Sequence, residues 1–409
     1  MGYGLCTLEL SDLPQRIAPD PDESGLGVIL RDRGRIVGFK MVGKDAFGKS
    51  AGMDPGRLVD QKVRDAIAIG RLRDEMGPPS APPPNITVAI CSKDRWDWVD
   101  RLLTSLASLR KEDAFEVVVI DNASSDDRMR RVCAERDWVR YFFEPLVGLN
   151  FARNRAMREA RGEVVAFLDD DVVVDRDWLR GLRRAWAENP DAGCVTGLVL
   201  PMALETEAQI LFEAGGGFRR GFRPIRYRAE RYRTPHYPCG AGHFGAGANM
   251  SLRRELVQRL GGFDEALDTG RPLPGGGDLD IFYRVLRAGA TLVYEPQAAV
   301  YHEHRREIAA LRRQYYTWGV GFMAYVSKSM QADPAMRPRF RGIIGWWFRY
   351  QLRRLKARAR GREPIPPRMI LGEIWGGIVG LSGEYRRSKR RIARIRASVT
   401  QGHGVGATP

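Results

Sequence analysis

Three consecutive carboxylates, Asp169, Asp170 and Asp171, close the apolar run Val164-Val-Ala-Phe-Leu168 and stand just before Val172-Val-Val174. An apolar run of this length, ended by charge, reads as a buried strand, and in an open α/β sheet ligands bind in the crevice outside the carboxyl ends of the strands. Carboxylates this crowded repel one another, so a proton or a cation must relieve the repulsion. A hard divalent ion, Mg²⁺ or Mn²⁺, is the simplest answer, above all where a diphosphate completes its shell. If the backbone stays extended, Asp169 and Asp171 point to one side and Asp170 to the other. A solvated turn in which Asp175 merely caps the next helix would use the same residues, and spacing alone leaves both readings open.

The surrounding segments alternate as strands and helices, the pattern of a mostly parallel Rossmann-like sheet. Strands are expected over 86–91, 115–120, 139–143 and 164–168, with helices after the first two and over 150–161. Three strand ends then bring polar groups to one rim: Ser92-Lys93-Asp94, Asp121-Asn122 and Asp169 to Asp171. That convergence favours a site over a turn. Upstream, 27–42 reads as a hairpin around Asp32-Arg33-Gly34 and 57–76 as a helix, a small α+β unit of 1–76. A proline-rich linker at 77–85 separates it from a catalytic unit of 86–330, and a basic, amphipathic helical tail fills 331–409.

Composition narrows the partners. The 409 residues are 44% hydrophobic and 28% charged, with a formal net charge of +16 that asks for an anionic partner. Cys6, Cys91, Cys133, Cys194 and Cys239 are odd in number and lack metal-ligand spacing, so reduced thiols in a cytoplasmic chain are expected. No run reaches the ~18 to 20 uncharged apolar residues that a bilayer span needs.

The segments ITVAICSKDR, FEVVVIDNASSDD, GLNFARNRAMREARGEVVAFLDDDV, FGAGANMSLRRELVQRLGGFDEAL and GGGDLDIFYRVLRAG resemble, in that order and spacing, glycosyltransferase family 2. The resemblance covers about 85–330 and implies the A-type glycosyltransferase fold. It also implies transfer of a sugar from a nucleotide-diphosphate donor to a hydroxyl-bearing acceptor, with inversion and Mg²⁺ or Mn²⁺. Carried onto matching positions, it places Ser92, Asp94, Asp121, Asn122, Arg153, Asp169 and Asp170 around the donor and makes Asp171 the principal metal ligand. His302 of Val300-Tyr-His-Glu-His304 falls where some members place a metal or diphosphate contact. Asn249, Asp264 and Asp280 fall on the acceptor side, together with the loops of 203–243. Family members commonly carry Glu-Asp where this chain has Gly277-Asp278, so the base position survives as Asp278 and its acidic neighbour does not. Ordinary structural roles compete: helix caps for Asp121 and Asp278, an exposed helix arginine for Arg153, surface histidines for 302 and 304.

The tail sets Trp346-Trp-Phe348 and Ile374-Trp375 beside the basic runs 353–362 and 386–396. Such segments suit either an anionic membrane surface, at the inner face of the plasma membrane, or packing on the catalytic unit. Two rival functions stand beside transfer: a nucleotide-sugar-binding protein without turnover, suggested by Gly277, and a nucleic-acid binder, suggested by charge alone. No nucleic-acid motif accompanies the charge, and no nucleic-acid partner is expected.

Overall fold

The structure, a computed structural model, describes residues 2–47, 52–111, 113–228 and 235–403. Its N-terminal unit has β1 (Gly4–Glu9), β2 (Gly25–Asp32), β3 (Arg35–Gly43) and α1 (Gln61–Glu75). The expected hairpin is β2–β3, turning through Arg33 (φ 51°) and Gly34 (φ 82°), the two left-handed residues that a tight antiparallel turn requires. β1, unforeseen, pairs parallel to β2. Asp60 starts α1 by accepting a bond from the Val63 amide at 3.0 Å.

The larger unit runs β4 (Ile86–Ser92), α2 (Trp96–Arg110), β5 (Glu116–Asp121), α3 (Arg128–Ala134), β6 (Val139–Phe143), α4 (Leu149–Glu159) and β7 (Val164–Leu168). It continues with β8 (Val172–Val174), α5 (Trp178–Glu188), β9 (Ala192–Pro201), α6 (Glu207–Ala214), β10 (Ile225–Tyr227), β11 (Asn249–Arg253) and α7 (Arg254–Arg259). Then come α8 (Gly277–Arg287), β12 (Thr291–His302), α9 (Ile308–Ala332), α10 (Arg337–Ala359), α11 (Pro367–Val379) and α12 (Tyr385–His403). The sheet order is β10-β12-β9-β11-β7-β4-β5-β6, with β8 on β12. It is a mixed sheet. β7, β4, β5 and β6 are parallel; β7, β4 and β5 are buried on both faces, which is why they read as apolar runs, whereas β6 at the sheet edge is half-exposed and carries Arg140. β11 runs antiparallel between β7 and β9, and β10 and β8 antiparallel to β12.

Two cores flank the sheet. Val99, Leu102, Leu106, Trp178 and Trp186 fill one side, and Phe282, Tyr325, Phe340 and Trp347 the other. The second core includes α10, so packing on the catalytic unit is the outcome for that part of the tail. Among 203–243, where no periodicity was evident, α6 forms behind a reciprocal cap between Thr206 and Gln209, while 229–234 lie outside the described residues. The five cysteines are free.

Candidate active site

β7 stops at Leu168 and β8 restarts at Val172, so the three aspartates occupy a turn and do not alternate as an extended strand would. The turn fans them apart. Asp169 lies 3.8 Å from Arg153; Asp170 accepts a 2.6 Å bond from the Ser92 hydroxyl and pairs with Arg95; Asp171 lies 3.4 Å from the same Arg95. Pairing of β8 with β12 sets His302 opposite Val172, and the Glu303 amide bonds the Asp171 carbonyl at 2.9 Å. That register carries the imidazole to Asp171, with Nε2 at 3.3 Å from Oδ1.

The electrostatics separate the three acids. Burial pushes Asp170 up to about 7, against Arg95, and Asp169 up to about 6, against Arg153. Asp169 is recessed within the protein, yet 37% of its side chain stays open, so a ligand can reach it. Burial also works against ionising Asp171, and the Arg95 and Arg305 cations oppose it. Burial drives His302 down to about 4 and His304 to about 3, so both rings are neutral. Both are buried, which removes the surface-histidine reading.

A neutral imidazole and a carboxylate fit a divalent ion here. Asp171 Oδ1 is buried without a hydrogen-bond partner, an expensive state for a charged oxygen unless a cation completes it. No group of three or more His, Cys, Asp or Glu side chains gathers around a metal position among the described residues. The protein thus offers a pair of ligands, with room for diphosphate oxygens and water in the remaining positions of a hard ion.

Arg153 is buried, contrary to the exposed reading. It bonds Asn150 and Asp268, both at 3.2 Å, and rests 5.6 Å above the Phe263 ring. Gly247 sits between Arg153 and Asp278: a Cβ there would stand 3.2 Å from the guanidinium and 3.1 Å from the Asp278 Cβ. Asp278 accepts bonds from the Gly247 amide at 3.2 Å and from the Leu279 amide at 2.8 Å at the start of α8. Asp278, Arg153 and the aspartate turn therefore share one recess. A Cβ at position 277 would meet Asp268 Oδ2 at 2.2 Å and Asn150 Nδ2 at 2.4 Å, so any residue other than glycine requires these two side chains to move.

Other expected residues hold the frame. Asp121 is buried, accepting from the Ser124 amide at 3.0 Å and the Tyr141 hydroxyl at 2.8 Å; α3 begins only at Arg128, so it is not that helix's cap. Asn122 spends its amide on the Leu146 carbonyl and Gly148 amide, bracing the loop that leads into α4. Asp94 is exposed at the rim and bonds the Ser125 amide at 2.6 Å. The three acceptor-side expectations need correction toward structural contacts. Asn249 joins Trp178 to the carbonyls of Leu198 and Ala298, and Asp264 takes bonds from the Tyr385 hydroxyl and Ala266 amide. Asp280 is fully buried, with one oxygen on Lys328 and the other on Arg284, so neither is open to a ligand. Sequence reasoning passed over Arg95, Asp268 and Glu213. Arg95 follows directly on the Ser92-Lys93-Asp94 strand end and was within reach; the other two come from loops and helices with no motif.

A nine-stranded mixed sheet with acids gathered at its strand ends defines the class, an α/β domain with its candidate site at the carboxyl ends of the parallel strands. The sequence model described as Glycosyl transferase family 2 matches residues 87–261 of this chain. It is 29% identical over 268 residues to the pre-mycofactocin glycosyltransferase of Mycobacterium tuberculosis, covering 62% of this chain and 51% of that protein. It is 26% identical over 241 residues to the glucosyl-dolichyl phosphate glucuronosyltransferase of Haloferax volcanii, covering 54% and 71%. The chain thus spans about half the length of the first of these relatives. Among solved structures, the mannosyltransferase PcManGT of Pyrobaculum calidifontis, in complex with GDP-Man and Mn²⁺, superposes with a TM-score of 0.46 at 19% identity, over 84% of this chain and 96% of that one.

Proposed function

We propose that the protein is a metal-assisted glycosyltransferase that moves a sugar from a nucleotide-diphosphate donor to a hydroxyl acceptor by a single inverting displacement. The observation that carries this reading is the pairing of the orphaned Asp171 oxygen with His302, in the same recess as Arg153 and Asp278. A divalent ion held by Asp171 and His302 would neutralise the leaving diphosphate. Arg153 offers a fixed cation on the far side of Asp169. Asp278, held by two amides and half-buried, is placed to accept the acceptor's proton.

A cavity of about 800 Å³ opens beside this recess, walled by Tyr227, His236, Tyr237, His243, Phe244 and Trp346. Gly242, next in the chain to the lining residue His243, faces Leu279, the residue after Asp278, at 3.9 Å from the position of a Cβ. The size and aromatic lining suit an acceptor with a substantial apolar part. No helix among the described residues is long and apolar enough to cross a membrane, but Leu371, Trp375 and Ile378 form an exposed stripe on α11 near exposed Arg353, Lys356 and Arg358. We infer from that stripe a peripheral contact with an anionic lipid surface.

Asp278→Asn tests the transfer reading against that of a sugar-nucleotide binder without turnover. It should lower transfer about 10²- to 10⁴-fold in single-turnover assays while leaving donor affinity within a factor of about two. Equal turnover in variant and wild type would remove Asp278 as the base.

A further inference from the structure

Behind His302 runs a buried chain of polar groups that the transfer chemistry does not itself use. His302 Nδ1 lies 2.9 Å from His304 Nδ1, His304 Nε2 lies 2.7 Å from Glu213 Oε1, and Glu213 is ion-paired with Arg219. Phe212 packs 4.6 Å from the His304 ring and Phe218 5.3 Å from the His302 ring, centroid to centroid, and their apolar surfaces line this chain. The order of protons along it is determined. Arg219 keeps Glu213 a carboxylate, which can only accept, so His304 Nε2 carries a proton and donates. A second proton on His304 would add a buried cation beside an already neutralised pair, so its Nδ1 is bare and accepts. His302 Nδ1 must then be the donor, which leaves the lone pair of Nε2 directed at Asp171 Oδ1. Two acceptors 3.3 Å apart with no proton between them call for a cation.

We propose that Glu213 and His304 are positioning residues whose hydrogen-bond order fixes His302 in the tautomer that presents Nε2 to a divalent ion. The proposal rests on the metal reading of the Asp171 site, but its proton order is measurable without any metal. Arg219 also stacks 4.6 Å over Phe39 of β3, so the N-terminal unit buttresses the far end of the chain.

In Glu213→Gln, Arg219 holds the amide oxygen and the NH₂ group turns to His304. The whole order then reverses and a proton appears on His302 Nε2. Nitrogen-15 NMR of the full chain with labelled histidine, of which it has five, reads the tautomers directly, and Mn²⁺ titration followed by EPR reads the site. The wild type should show His302 protonated on Nδ1, and Glu213→Gln should protonate Nε2 and weaken Mn²⁺ binding about 10- to 100-fold. Wild-type His302 protonated on Nε2 overturns the proposal, and so does Mn²⁺ affinity unchanged in Glu213→Gln. Should Asp171→Ala bind Mn²⁺ as the wild type does, the metal reading fails by itself, while the wild-type NMR spectrum, which depends on no variant, still decides the proton order.

Discussion

A carboxylate enclosed beside one guanidinium and two other acids resists ionising, and Asp268 is in that position. Burial raises it to about 6, with Arg153 opposing and Asp278 and Asp169 adding to the rise; the Gly277 amide donates to it at 2.9 Å. It also adopts φ 53°, a left-handed conformation that a non-glycine residue rarely takes without being held there. Because its folded pKa lies above the ordinary carboxylate value, the folded state binds more protons than the unfolded chain between about pH 4 and 6. This group's contribution is therefore fully present below about pH 4 and is lost as pH rises through 6. Relative to Asp268→Asn, the wild type should gain on the order of 2 to 3 kcal/mol as pH falls from 7 to 4, read from thermal melts at a series of pH values. A difference that stays constant over that range would refute the shift. Nothing in the sequence marked this residue. Its contact with Arg153 spans 115 positions, and that of His304 with Glu213 spans 91, so neither leaves a local pattern. The places of Asp171, His302 and Asp278 at strand ends and a helix start were legible because those are local signals. The contacts of Asn249, Asp264 and Asp280 were not, because a motif position tells which loop a side chain occupies, not which way its polar atoms point.

Elements decide that direction. The β8–β12 pairing of Val172 with His302 joins two motifs 130 positions apart in the chain and explains why a strand of three residues matters to the site. Such a short strand, like β10, is invisible to periodicity, which needs a longer run to be read. The inner parallel strands β4, β5 and β7 were legible for the opposite reason: burial on both faces makes them apolar runs. On α11 the two faces part company. Met369, Ile370, Gly376 and Gly377 are buried, whereas Leu371 and Trp375 are 52% and 60% exposed and, with Ile378, form a stripe at helical spacing. If that stripe meets lipid, Leu371→Glu with Trp375→Glu should cut co-sedimentation with anionic vesicles several-fold while transfer to a soluble acceptor persists. Unchanged sedimentation would assign the stripe to another role.

Across the whole molecule, the expected division at a proline-rich linker describes the chain better than the packing. The N-terminal unit is fastened to the catalytic unit by an apolar cluster of Ile29, Ile36 and Phe39 with Leu198, Leu200 and Leu204, and by polar contacts: Arg31 pairs with Asp175 and bonds the Tyr301 hydroxyl at 2.9 Å, Arg73 holds Glu295 at 2.9 Å, and Gln297 reaches the Ile36 carbonyl at 3.1 Å. Tyr301 and Arg219 are neighbours of His302 and His304, so this unit supports β12 at the end that borders the candidate site. At the other terminus, Phe340, Ile343 and Trp347 belong to the main core, and Tyr385 bonds Asp264 at 2.8 Å. Composition showed the charge and aromatics of these segments but not their partners, since contacts between residues far apart in the chain leave no local pattern. The central claim concerns the recess that all these parts enclose. Calorimetric titration of UDP, GDP and dTDP, each with and without Mn²⁺, into the wild type and Asp171→Ala tests it most directly. Binding of one nucleotide that requires Mn²⁺ in the wild type and is lost in the variant is the predicted result. Binding that is the same with and without the metal, or unchanged by the substitution, would contradict it.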